Sequence, residues 1–110
     1  MPEIYRILGQ IAATANATYS LYTVPASTNT VVSSIIVTNR NNNANITYRI
    51  AVQPGGATLA NDHFIAYDTS VVALDSAALS LGLALGVGDV ISVNTANANV
   101  TFSAFGVEIT

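Results

Sequence analysis

Apolar and polar residues alternate along this chain with a period of two wherever a period can be found. The clearest run is Ile46-Thr47-Tyr48-Arg49-Ile50-Ala51-Val52, in which Ile46, Tyr48, Ile50 and Val52 share one face, as in a half-buried antiparallel strand. Leu79, Leu81, Leu83 and Leu85 alternate with Ser80, Gly82 and Ala84. A helix would scatter these leucines around its circumference, whereas a strand stacks them on one side. No window sustains a helical period, and β-branched and aromatic residues fill the other runs. Turn-forming residues interrupt the chain at 15–17, 25–29, 39–45, 54–56, 61–62, 75, 86–89 and 96–99. Between them the pattern predicts about eight strands, near 3–12, 18–24, 30–39, 45–53, 63–68, 77–84, 89–95 and 98–109. Many short strands with frequent turns predict an all-β fold: an antiparallel β-sandwich, jelly-roll or immunoglobulin-like, in a single domain spanning 1–110.

Two runs depart from simple alternation. In Val31-Val32-Ser33-Ser34-Ile35-Ile36-Val37, Val31, Ile35 and Val37 share one face and Val32 and Ile36 the other, so both faces are apolar. A two-sheet sandwich covers only one face of each sheet, and a bare, uncharged run of this kind is prone to aggregate. The expectation is a central strand whose outward side, carrying Val32 and Ile36, lies at an interface. In the last run Val100 and Phe102 occupy one face but Phe105, Val107 and Ile109 the other, which predicts a β-bulge near Ala104.

Composition strengthens the case for contact surfaces. Only 8% of the 110 residues are charged while 51% are hydrophobic. Soluble domains carry about a quarter charged residues, so this surface relies on Asn, Thr and Ser or lies against partners. The net charge is −3, and the three basic residues, Arg6, Arg40 and Arg49, are scattered, which argues against nucleic acid and against an anionic membrane. With no cysteine there is no disulfide framework, thiolate nucleophile or Cys-based zinc site. Arg6, Ile7-Leu8 and Ala15-Asn16-Ala17 imitate a secretory leader, but Glu3 and Gln10 break the apolar stretch, and the segment reads as a first strand. The uncharged stretch 76–88 is too short to span a bilayer.

Candidate chemistry is sparse. His63, the one histidine, stands near Asp62 and Asp68, yet no serine is marked by a G-x-S-x-G elbow or a glycine-rich oxyanion loop, so no catalytic site is expected and no cofactor. Asp62, Asp68, Asp75 and Asp89 are spread too far for a calcium loop, and Asp89 after Gly88 reads as a turn residue. Asn-X-Thr triplets at Asn16, Asn45 and Asn99 need a secretory route to be glycosylated. The run Asn39-Arg40-Asn41-Asn42-Asn43-Ala44-Asn45 reads as a hairpin connection in preference to a sugar-binding loop. Tyr5, Tyr19, Tyr22, Tyr48 and Tyr67 read as core or interface anchors with wet hydroxyls.

Seven blocks in order, Tyr5 to Gln10, Leu21 to Ala26, Val32 to Arg40, Arg49 to Val52, His63 to Asp68, Gly88 to Val93 and Phe105 to Ile109, resemble small virion structural proteins of tailed bacteriophages. That resemblance implies a capsid decoration (cement) protein, or a tail-associated one, and carries no functional residues across. It implies a protein made in the host cytoplasm and held on the capsid surface of the virion, with the major capsid protein and itself as partners, as a homotrimer. A threefold contact would bury the second apolar face, and repeated weak contacts would add through multivalency. The interface residues expected are Pro2, Glu3, Ile4, Tyr5, Arg6, Val32 and Ile36. The rival reading is a tail or tail-fibre component binding host glycans through Asn-rich loops.

Overall fold

The turn residues cut the chain into eight extended segments, and the computed structural model, which describes residues 2–110, forms one strand from each. They are β1 (Glu3–Ala13), β2 (Ala17–Thr23), β3 (Asn29–Asn39), β4 (Ile46–Gln53), β5 (Phe64–Val71), β6 (Ser76–Leu85), β7 (Val90–Thr95) and β8 (Val100–Ile109). Single 3-10 turns lie at Pro54–Gly56 and Asn61–His63.

Pairing follows one rule: β1 with β8, β2 with β7, β3 with β6 and β4 with β5, all antiparallel. The chain is therefore one long two-stranded ribbon doubled back between β4 and β5. Two further antiparallel pairings, β3 with β8 and β4 with β7, wrap the ribbon into two four-stranded sheets, β1-β8-β3-β6 and β2-β7-β4-β5. This is the jelly roll of the two topologies expected. Every connection except β4–β5 crosses between the sheets. The Asn39 to Asn45 run is thus a crossing from one sheet to the other and not a hairpin, because β3 and β4 each bury one face against the opposite sheet.

The two inner faces interdigitate as the alternation predicts. Val32, Ile35, Val37, Val100, Phe102 and Ala104 of one sheet meet Ile46, Tyr48, Ile50, Ile91 and Val93 of the other, all essentially buried. Tyr48 and Phe102 pack edge to face with ring centres 6.4 Å apart, a geometry that aromatic quadrupoles favour. Leu79, Leu83 and Leu85 pair with Ile35, Val32 and Thr30 on the inward side, as expected; the Leu81 side chain lies outside the described residues.

Two expectations about register are corrected. β8 has no bulge near Ala104: Val100, Phe102, Ala104, Gly106 and Glu108 alternate inward without interruption. The irregularities sit in its neighbours, where Leu8 in β1 and Ser33 in β3 are extra residues flanking the level of Phe105. Because side chains alternate with period two, one extra residue flips the faces beyond it. Val32 therefore joins Ile35 and Val37 in the core at 0% exposure, and Val31 takes the outward position assigned to Val32.

One end of the sandwich is wired by asparagine. Asn39, buried, donates from Nδ2 to the carbonyls of Ala44 (2.9 Å) and Val71 (3.1 Å), and its Oδ1 accepts from the backbone N–H (2.9 Å) and Nδ2 (3.0 Å) of Asn41. Those four bonds exhaust the capacity of the amide. Asn41 and Asn99 continue the network to Ala98 and to each other, while Asn97 and Asn45 accept from the backbone of Thr47 and Ala73. At the opposite end Asp89 accepts from the N–H groups of Gly55 (2.8 Å) and Gly86 (2.9 Å), the turn role read from its position.

Candidate functional site

The outer faces of the two sheets are unlike. On β2-β7-β4-β5 the outward side chains include Thr18, Ser20, Thr47, Arg49, Ser70, Ser92 and Asn94. Arg49 is held there by Asp68 through Nε (2.7 Å) and Nη2 (3.2 Å), and its guanidinium lies 4.0 Å from the ring centre of Tyr67. The hydrogen bonds from Arg49 hold the Asp68 carboxyl below the usual carboxylate range. Shallow depressions beside Arg49 and Asn94 have mixed polar and apolar walls. This face is mostly polar, although Ala51 and Ser92 on it are buried, at a depression also lined by Leu59 and Phe64.

The outer face of β1-β8-β3-β6 is not. Its cross-strand rows are read from register as Tyr5, Val107, Val31 and Ala84, then Ile7, Phe105, Ser34 and Ser80, then Gln10, Ser103, Ile36 and Ala78. None of these twelve side chains is charged. Tyr5 is 77% exposed, Ile7 55% and Val31 38%. Glu3 beside Ile109 closes the face at one end, and Arg40, whose Nε donates to Thr101 Oγ1 (3.0 Å), closes it at the other. Eight of the twelve side chains are apolar or aromatic and four are Ser or Gln, so an uncharged, largely apolar surface is rimmed by charged groups.

The seven residues expected at an interface divide. Glu3, Tyr5 and Ile36 share this face. Ile4 and Arg6 pair with the inward residues Glu108 and Gly106, so they lie on the other side of β1. Pro2 is exposed, and its carbonyl accepts from the Thr110 N–H (3.1 Å), joining the two chain ends. Val32 is core, for the reason given above. Five residues that complete the face were missed: Ile7, Val31, Phe105, Val107 and Ile109. For Phe105, Val107 and Ile109 the signal lies in the last strand, where apolar residues occur at both parities; Ile7 and Val31 have no such mark, because the extra residues Leu8 and Ser33 set which way they face.

Arg6 turns inward to a polar cluster at the edge of the core. Its Nη1 donates to Glu108 Oε1 (3.0 Å), the Tyr22 hydroxyl donates to Glu108 Oε2 (2.6 Å), and Thr30 Oγ1 lies 2.8 Å from that hydroxyl. The Tyr22 hydroxyl is therefore buried and bonded, contrary to the wet hydroxyl expected. Burial, and next the bond to the Glu108 carboxylate, push its pKa from about 10 up to about 12. Between those values the folded chain keeps a proton that the unfolded chain has lost, so stability falls as pH rises. Urea midpoints should drop between pH 10 and about 12. Burial of Tyr48 acts in the same direction. Tyr22→Phe should flatten part of the slope; an unchanged slope would show that Tyr22 titrates normally.

Of the residues weighed for catalysis, His63 and Asp62 are neighbours and Asp68 is held by Arg49. His63 Nδ1 accepts from the Ala60 N–H (3.1 Å) within its own turn, Asp62 lies 3.7 Å from His63 Nε2, and Asp68 is engaged by Arg49. Among the described residues, no three of His, Asp or Glu are grouped to hold a metal ion.

No protein family matches this chain, and no curated protein matches it. Among solved structures it is similar to a pentameric capsid protein isolated from metagenomic phage sequences, at 21% identity and a TM-score of 0.40. The match covers 96% of this chain and 59% of that one, so this chain spans well under two thirds of the length of the protein it resembles.

Proposed function

We propose that this chain is a bacteriophage virion structural protein, a capsid decoration protein that fastens to the outside of the shell and acts by contact, with no reaction of its own. The contrast between the two outer sheet faces carries this reading. A polar face suits permanent exposure to water, and an apolar face of three cross-strand rows suits permanent burial against protein. The sequence resemblance to small phage virion proteins supplies the setting. Of the asparagines in the Asn39 to Asn45 run, Asn39, Asn41 and Asn45 are engaged with the chain's own backbone, which leaves the exposed Asn42 and Asn43 for a glycan-reading tail part and supports capsid decoration over it.

Copy number tests it. Purified virions should hold this chain in numbers comparable to the major capsid protein, whereas a few copies per particle would assign it to the tail. Ile7→Lys, at a position 55% exposed and outward on β1, should leave the fold intact and abolish incorporation into particles. Full incorporation of that variant would remove the apolar face from the contact.

A further inference from the structure

The apolar face has a size, a shape and a charge pattern that together specify an occupant. We infer that it is covered by the same face of a second copy of this chain, related by a twofold axis running across the strands. This rests on the contact role proposed above and changes what meets what: the apolar faces bury each other, the pair is the unit that fastens to the shell by its remaining surface, and Ile7→Lys is lost from particles because it no longer pairs.

Size comes first. Four strands about 4.8 Å apart and roughly 27 Å of β8 between Ile109 and Thr101 give a face of about 500 Å², and so about 1,000 Å² buried by a pair, near the lower bound for a specific interface. Among the described residues the other exposed apolar side chains are spread out: Ile4 lies on the opposite side of β1, Ile65 and Tyr67 on the edge strand β5, and Leu59, Val72, Leu74 and Val87 in loops. A threefold contact needs two different complementary patches on each subunit, whereas one large patch pairs with itself about a twofold. On this ground twofold pairing is preferred to the threefold expected from the sequence.

Charge then selects the orientation. The face carries an anion, Glu3, at one end and a cation, Arg40, at the other, with uncharged rows between; Asp75 also lies at the Arg40 end, its carboxylate accepting from the Ser76 N–H. A twofold axis parallel to the strands would lay Glu3 beside the partner's Glu3 and Arg40 beside the partner's Arg40, two like-charge pairs at the rim. An axis across the strands reverses strand direction and brings Glu3 of each copy toward the partner's Arg40. Two symmetry-related ion pairs then flank the apolar rows, and the rim excludes the parallel alternative. Tyr5, the most exposed aromatic residue of the face, is placed to cross the seam onto the facing sheet, where its area is buried at little entropic cost.

Sedimentation equilibrium of the full chain at micromolar concentration tests this directly. The wild type should be a dimer and Ile7→Lys a monomer whose melting temperature equals that of wild type diluted until it dissociates. Glu3→Arg and Arg40→Glu should each weaken association by roughly tenfold, and the double variant carrying both should regain most of it. A wild-type monomer, a trimer, or a double variant no tighter than the singles would overturn the inference. Its failure is separable from failure of the contact role: a monomer whose Ile7→Lys variant is still lost from particles would mean that the face meets the capsid instead.

Discussion

Gly106→Ala is expected to cost about 3 kcal/mol or more, read as a large drop in the urea midpoint at unchanged slope. Gly106 lies on the inward side of β8, opposite Arg6 in β1 and Val32 in β3. A methyl group built there runs into the Val31 carbonyl oxygen and comes within 3.0 Å of Val32 Cα and 3.1 Å of Leu8 Cδ1. Two of those obstacles are backbone, so no rotamer change relieves them. Relief requires the β3 ladder to move at the point where Ser33 bulges, and that bulge sets which side of β3 faces out. The variant should therefore lose association along with stability. Gly82→Ala is the control: no atom lies within 4 Å of a Cβ there, and the change should be close to neutral. Equal stability of the two variants would mean that β8 and β3 approach less closely than described.

Asn39→Asp is expected to be comparably damaging, at about 3 kcal/mol, although the two side chains have nearly the same shape. The amide nitrogen that donates to the Ala44 and Val71 carbonyls becomes an oxygen facing two oxygens, in a site 1% exposed. An ionised carboxylate there is repelled and desolvated, so the variant's carboxyl should hold its proton to higher pH than a free one. A group with a raised folded-state pKa contributes stability at low pH and loses it as pH rises. The urea midpoint of Asn39→Asp should accordingly recover on acidification toward pH 4, while wild type shows no such recovery. A variant as stable as wild type at pH 7 would show that the crossing from β3 to β4 is held by something other than this amide. Against a total stability of about 5–15 kcal/mol for a domain of this kind, either substitution removes a large share.

Both sites show which features are hidden in a sequence. Gly106 sits in Phe105-Gly106-Val107-Glu108-Ile109, a plain strand pattern, and the pattern contains no mark of the carbonyl that approaches it from a strand some seventy residues away. Asn39 opens an asparagine-rich run that composition assigns to a connection, but its four bonds go to Asn41 and Ala44 of that connection and to Val71 at the end of β5, and only the sheet-to-sheet crossing brings Val71 to it. Glu108 is a third case. Alternation places it inward, where a carboxylate is costly unless paired, and its partners Arg6 and Tyr22 arrive from β1 and β2.

Local pattern determined what local forces control: eight strands from period-two alternation, their ends from Asn, Gly, Pro and Asp, an all-β sandwich, and a surplus of apolar residues in β3 and β8 that one core does not absorb. The choice of face belonged to the tertiary structure. Side-chain direction in a strand flips with each residue, so the extra residues Leu8 and Ser33 decide whether Val31 or Val32 meets solvent, and a bulge is stabilised by the strands on either side of it, not by its own sequence. The same wrapping of the ribbon that sets those bulges gathers Tyr5, Ile7, Val31, Ile36, Phe105 and Val107 from three strands onto one surface. Each lies beside residues distant in the chain, and only pairing across strands makes them a single apolar face.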